Sequence, residues 1–273
     1  MKKFIALILA VVVFATLGLT ACKSGDDSST TDPSSTAPSE QGSSTVSVKT
    51  VKEGVLTMAT NAEFPPYEYY EGDTIVGIDA EVAALIAEKL GLELEIADID
   101  FNAIVPGVQT GKYDMGMAGM TVNEDRLKSV NFTTSYAKGI QVVIVKTDSG
   151  IASVDDLAGK KIGVQEATTG DIYASGDFGD ENVVKYANGA LAVEGLKSGK
   201  VDCVIIDNEP AKAYVAANEG LKILETTYAD EDYAICVSKE NDELKEAIDN
   251  ALKELIADGS LQKIVDKYIP ADN

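Results

Sequence analysis

Gln109-Thr110-Gly111-Lys112-Tyr113-Asp114-Met115 and Lys197-Ser198-Gly199-Lys200-Val201-Asp202-Cys203 are the two stretches on which the fold turns. Aligned, each closes a helical stretch, turns at Gly-Lys and enters an apolar run, Met115-Gly116-Met117-Ala118 in one and Cys203-Val204-Ile205-Ile206 in the other. In this alignment Gly119 falls opposite Asp207. Both then lie just past the carboxyl end of a strand, where open α/β sheets bind their ligands. The echo implies two copies of one architecture facing each other.

Outward from the first copy, helix and strand signals alternate. Leu56 to Thr60 reads as a strand. Ile78, Val82, Leu85, Ile86 and Leu90 recur at helical spacing, with Asp79 as the expected N-cap and Gly91 as the stop. Leu92, Leu94 and Ile96 then alternate with Glu93 and Glu95, as in a strand with one wet face. Such a series builds a mostly parallel sheet with helices on both faces, so the expected class is α/β.

The chain begins differently. Lys2 and Lys3 precede an almost wholly apolar run from Phe4 to Leu19, the pattern of a secretory signal peptide, expected over residues 1–21. Leu19-Thr20-Ala21-Cys22 resembles the bacterial lipobox, which makes Cys22 the expected lipidated first residue of the mature protein. Residues 22–48, rich in Ser, Thr, Asp, Gly and Pro, read as a disordered tether with a reach of roughly 25–30 Å. Cys203 and Cys236 sit inside apolar runs and are expected as buried thiols.

Composition narrows the chemistry. The 273 residues carry 45 acidic against 23 basic side chains and no histidine. A formal charge of −22 argues against a nucleic-acid partner, since phosphate binding rests on Lys and Arg. The missing histidine removes Ser-His-Asp and Cys-His nucleophile systems and His-ligated zinc or haem, and neither metal nor cofactor is expected.

Six segments in order then resemble one family. They are Thr60-Asn61-Ala62-Glu63-Phe64-Pro65-Pro66-Tyr67-Glu68; Gly77-Ile78-Asp79-Ala80-Glu81; Phe101-Asn102-Ala103-Ile104-Val105-Pro106; Ala118-Gly119-Met120-Thr121 with Arg126 and Phe132; Gly163-Val164-Gln165-Glu166-Ala167-Thr168-Thr169-Gly170; and Ala229 to Val237. Together they resemble the bacterial extracellular solute-binding proteins of family 3, which serve polar amino-acid ABC transporters. The resemblance implies two Rossmann-like lobes joined by a two-strand hinge, the type II periplasmic-binding-protein architecture. Lobe 1 would span 49–139 plus 233–273 and lobe 2 would span 140–232. The hinge strands would run near Gly139-Ile140-Gln141-Val142 and Tyr233-Ala234-Ile235. A free amino acid would bind between the lobes, and the closed monomer would be presented to an ABC permease, held to the membrane by its lipid.

An amino acid offers a carboxylate, an ammonium and a side chain. Arg126 is the only arginine in the chain and is expected to grip the carboxylate with its planar fork; the plain alternative is a solvated surface residue. Thr121 would assist, although Thr121-Val122-Asn123-Glu124 also reads as a capping box for the helix carrying Arg126. Thr168 and Thr169 open a helix in lobe 2 and would reach the same carboxylate, with Ala167 standing where the family more often has Gly. Asp207, assisted by the Gly119 carbonyl, would hold the ammonium, or else cap the helix beginning near Glu209-Pro210. Phe64 and Phe101 would flank the ligand side chain or serve as plain core. Asn61 and Glu63 would read its far end, favouring an amide or a cation if both face inward; Glu63 in water is the competing reading.

The leading expectation is therefore a lipid-anchored, extracytoplasmic amino-acid receptor, with the outer face of a Gram-positive membrane favoured over a periplasm. The rivals are an enzyme on the same fold, such as a dehydratase, and a ligand-sensing receptor. An enzyme needs a positioned acid/base pair beyond what ligand capture explains.

Overall fold

A computed structural model describes residues 48–225 and 227–270. The signal peptide, Cys22 and the tether up to residue 47 lie outside the described residues.

The helix Ile78–Leu90 forms where the apolar spacing places it. It buries Ile78, Val82 and Ile86, and it ends at Gly91, whose φ of 69° is the left-handed geometry that releases the chain from a helix. Asp79 is not its cap. Gly77 stands at the N-cap position, and Asp79 lies inside the first turn, fully buried, with its carboxylate turned away on a longer-range task.

Two sheets carry the two lobes. In the first the order is Glu93–Asp98, Val55–Thr60, Met115–Gly116, Cys236–Ser238 and Val130–Phe132. Val55–Thr60 runs parallel to both neighbours and is buried throughout, as a central strand covered on both faces must be. Glu93–Asp98 is the edge, and Glu93 and Glu95 on it are exposed. In the second sheet the order is Val183–Tyr186, Ile162–Gln165, Cys203–Asp207, Ala137–Lys146 and Leu221–Ile223. A small sheet of Glu63–Phe64, Glu68–Glu71 and Thr74–Val76 sits beside the first.

The chain passes between the large sheets twice, from Val130–Phe132 into Ala137–Lys146 and from Ala229–Tyr233 into Cys236–Ser238. The crossing strands run antiparallel, from Ala137 beside Tyr233 to Gln141 beside Ala229. A third segment is zipped onto this pair: Ala234 donates to the Met120 carbonyl, Val122 donates to that of Asp232, and Thr121 bridges to Tyr233. The loop that carries Gly119 and Thr121 is thus fastened to the hinge itself. Cys203 and Cys236 are buried free thiols in different sheets, and burial pushes both up to about 12.

Candidate functional site

Between the lobes lies a cavity lined by Asn61, Phe64, Phe101, Gly119, Thr121 and Arg126 from one side and by Thr168, Thr169 and Asp207 from the other, together with Glu68, Ala118 and Gln165. Every expected site residue except Glu63 is on that wall. Glu63 is exposed, and only its backbone contributes, its carbonyl accepting from the Tyr214 hydroxyl at 2.7 Å. The strand alternation turns Glu63 outward and Phe64 inward.

Arg126 is carried by the helix Glu124–Ser129. The cap of this helix is Asn123, which accepts from the Arg126 backbone N–H at 2.8 Å, so the capping box expected from Thr121 does not form. Thr121 is left free for the cavity. The Arg126 guanidinium, 9% exposed, donates to the Thr121 carbonyl at 2.7 Å and across the cleft to the Ala167 carbonyl at 3.1 Å. Its carbon lies 5.2 Å from the Phe101 ring centre, so Phe101 supports the fork as well as lining the wall. Every ion pair among the described residues uses a lysine. The one arginine is therefore a buried cation held by neutral carbonyls and an aromatic ring, with no carboxylate among the described residues in ion-pair contact. Burial lowers its pKa, yet a guanidinium stays charged at neutral pH.

Asp207 ends the strand Cys203–Asp207 and stands at the N-cap position of Asn208–Ala217 without making a side-chain cap bond. Its carboxylate accepts instead from the Tyr233 hydroxyl. Burial foremost, and the negative charge of Glu231 next, push Asp207 up to about 7. A carboxylate so placed is starved of a positive partner.

The second-lobe turn is built around strain. Ala167 has φ 63°, the left-handed region that favours glycine. Asp171 steadies it by accepting from the Ala167 N–H at 3.0 Å and pairing with Lys185 at 3.0 Å. Thr168 is the N-cap of Thr169–Phe178: it accepts from Asp171 at 3.3 Å and donates to the Gln165 carbonyl at 2.8 Å. Its hydroxyl proton is spent on the fold, and what the turn offers an anion is the unpaired N–H groups of a helix start.

Gly119, with φ 50°, lets the Phe64 ring close on the backbone, since a Cβ there would stand 2.7 Å from the ring. Its N–H donates to Asp79 at 2.9 Å, and Tyr136 donates to the same carboxylate oxygen at 2.8 Å. This is the task of Asp79: it fixes the loop that exposes the Gly119 carbonyl. Glu68 lies beside it, 1% exposed. Burial first and the charge of Asp79 second hold the Glu68 carboxyl well above the usual carboxylate range. Glu68 Oε2 and Asp79 Oδ1 are both buried without a hydrogen-bond partner among the described residues.

Several bonds tie the lobes across the cavity. Gln165 donates to Asn61 at 2.9 Å, Asn102 to Glu166 at 3.2 Å, and the Thr121 and Thr169 hydroxyls stand 3.4 Å apart. Glu68, Gln165 and Glu231 were not singled out from sequence. All three lie within the matched segments, but no local pattern distinguishes an inward Glu or Gln from a solvated one.

Two lobes, a paired hinge and a polar cavity between them define a clamp that holds a small solute. The chain belongs to the bacterial extracellular solute-binding proteins, family 3, which it matches over residues 56–271. It is 31% identical to the arginine-binding extracellular protein ArtP of Bacillus subtilis, with all of both chains covered. Among solved structures it is similar to an ancestral arginine-binding protein bound to arginine (41% identity, TM-score 0.75, covering 80% of this chain and 99% of that one). The ancestral protein bound to glutamine gives 40% identity and a TM-score of 0.76 over the same shares. The chain is thus a solute-binding protein and not an enzyme.

Proposed function

We propose that this protein captures a cationic amino acid, L-arginine first, and delivers it to an ABC importer by closing its lobes. Lobe 1 is 49–139 plus 233–273 and lobe 2 is 140–232. The carrying observation is that a buried guanidinium without an ion-pair partner and a buried carboxylate without a cation line one cavity from opposite lobes. A zwitterion supplies both missing charges at once. Its carboxylate goes to Arg126 and the helix start at Thr168 and Thr169; its ammonium goes to Asp207 and the Gly119 carbonyl. Phe64 and Phe101 flank its side chain. Asn61 and Glu68 meet the far end, where a buried carboxyl suits a guanidinium.

The chain works as a monomer, tethered through lipidated Cys22 to the outer face of a Gram-positive membrane. A thermal-shift screen of the twenty amino acids tests the ligand reading. Arginine at 100 times its dissociation constant is expected to add about 2.7 kcal/mol, with glutamine as the amide outcome to compare. A flat response to all twenty overturns the reading. The tether is tested separately: Cys22→Ala should move the protein from the membrane to the soluble fraction, and continued membrane retention contradicts it.

A further inference from the structure

Glu231 lies on the hinge strand Ala229–Tyr233 and is 6% exposed, and its hydrogen bonds give it a task beyond its charge beside Asp207. Its Oε2 accepts two bonds, each 3.0 Å long: one from Thr121 Oγ1 in the first lobe, the other from Gln141 Nε2 on the neighbouring hinge strand. A carboxylate can only accept, so the donor in the first contact is Thr121. A threonine hydroxyl has a single proton. Once that proton points at Glu231, Thr121 Oγ1 presents only lone pairs to the cavity. In its 3.4 Å contact with Thr169 the donor is then Thr169.

This reverses the ordinary expectation for a threonine beside an arginine. An acceptor oxygen does not suit the ligand carboxylate; it suits the ammonium, alongside Asp207 and the Gly119 carbonyl. We propose that Glu231 is a positioning residue: it takes the Thr121 proton so that Thr121 serves the ligand ammonium as an acceptor, and it sets a like charge against Asp207. This rests on the amino-acid reading above and deepens it.

The groups facing Asp207 are Glu231, Tyr233, Gln141 and Lys138 on the hinge strands, Tyr67 and Glu68 beside the small sheet, Arg126 from the first lobe, Tyr173 from the helix Thr169–Phe178 and Glu209 from the helix Asn208–Ala217. Among them Glu231 is the nearby negative charge that most raises Asp207. Neutralising it should let Asp207 ionise at lower pH.

Two variants separate the effects. Glu231→Gln keeps an oxygen for Thr121 and removes the charge. Arginine affinity at pH 8 should stay within about threefold, while the Asp207 carboxyl midpoint, followed by carbon-13 NMR on ligand-free protein, falls by about half a pH unit or more. Glu231→Leu removes the acceptor. Arginine should weaken about tenfold at pH 8, and 5-guanidinopentanoate, which lacks the ammonium, by less than about threefold. An unmoved Asp207 midpoint in Glu231→Gln overturns the proposal, as does equal weakening of both ligands in Glu231→Leu. Should Glu231→Leu not fold, Glu231→Ala takes its place in the same comparison of the two ligands. Absence of arginine binding by the wild type overturns the proposed function instead, and the ligand-free titration still judges Glu231.

Discussion

The two Gly-Lys turns are built alike and end in opposite chemistry. Gly111 and Gly199 have φ 70° and 76°. Lys112 donates back to the Gly107 carbonyl and Lys200 to that of Gly195, both at 2.9 Å, and the next residues, Tyr113 and Val201, reach the same carbonyls at 3.4 Å. Asp114 then staples its turn to the adjacent strand by accepting from the Thr57 N–H at 2.8 Å, as Asp202 does from Lys161 at 2.8 Å. Beyond that point they part. In the first lobe the strand is only Met115–Gly116, shorter than the expected four residues, and the chain turns at Gly119 toward Arg126. In the second the strand runs on to Asp207. One scaffold thus aims a cation from one jaw and an anion from the other, and what differs is how far the strand continues.

The largest effect should come from removing the cation. Arg126→Ala is expected to weaken arginine about a hundredfold or more in calorimetry, with the thermal midpoint of the free protein little changed. Loss of the fold, or unchanged affinity, would break the contrast between the jaws. Asp207→Asn comes next, about thirtyfold or more in affinity. It should also raise the stability of the unliganded protein at pH 8. The folded Asp207 titrates at about 7, well above the ordinary aspartate value of 3.8. Folded protein therefore binds more protons than unfolded protein between those values, and stability falls as pH rises through that window. The variant lacks this slope, and an unchanged midpoint would argue against a buried charge.

The same titration shapes binding. The ammonium needs ionised Asp207, so arginine affinity should be flat just above pH 7 and fall about tenfold per unit below it. A profile flat from pH 8 to 5.5 would contradict this.

Smaller effects sharpen the likeness of the turns. Gly111→Ala and Gly199→Ala meet nothing closer than 4.0 Å, so each should cost only the left-handed backbone penalty, about 1 kcal/mol, in urea unfolding. Costs differing by more than about 1 kcal/mol would show that the turns are not equivalent. Ala167→Gly should work in the opposite direction, relieving φ 63° and stabilising the protein by up to about 1 kcal/mol. A loss of stability there would mean that the turn is not strained.

The sequence was most legible where structure is local. The helix Ile78–Leu90 and its stop at Gly91 follow from spacing and from a glycine that accepts a left-handed turn. The paired turns do as well. It was misread where side chains serve distant partners. Asp79 looks like a cap because it stands at the head of an apolar helix, yet its partners are Gly119 and Tyr136. Thr121 and Asn123 are equally good caps on sequence, and the helix takes the second. Glu63 and Glu68 flank one short hairpin, and only the fold decides that the first is wet and the second buried. Arg126 was legible for a different reason: with no other arginine in the chain, it had no rivals.

The central claim is that the two jaws hold opposite ends of one zwitterion. The direct measurement is a crossed calorimetric titration of wild type, Arg126→Ala and Asp207→Asn with arginine, agmatine, which lacks the carboxylate, and 5-guanidinopentanoate, which lacks the ammonium. Arg126→Ala should no longer distinguish arginine from agmatine, and Asp207→Asn should no longer distinguish arginine from 5-guanidinopentanoate, while each keeps the other preference. If both variants lose both preferences equally, or neither loses either, the division of labour between the jaws is wrong.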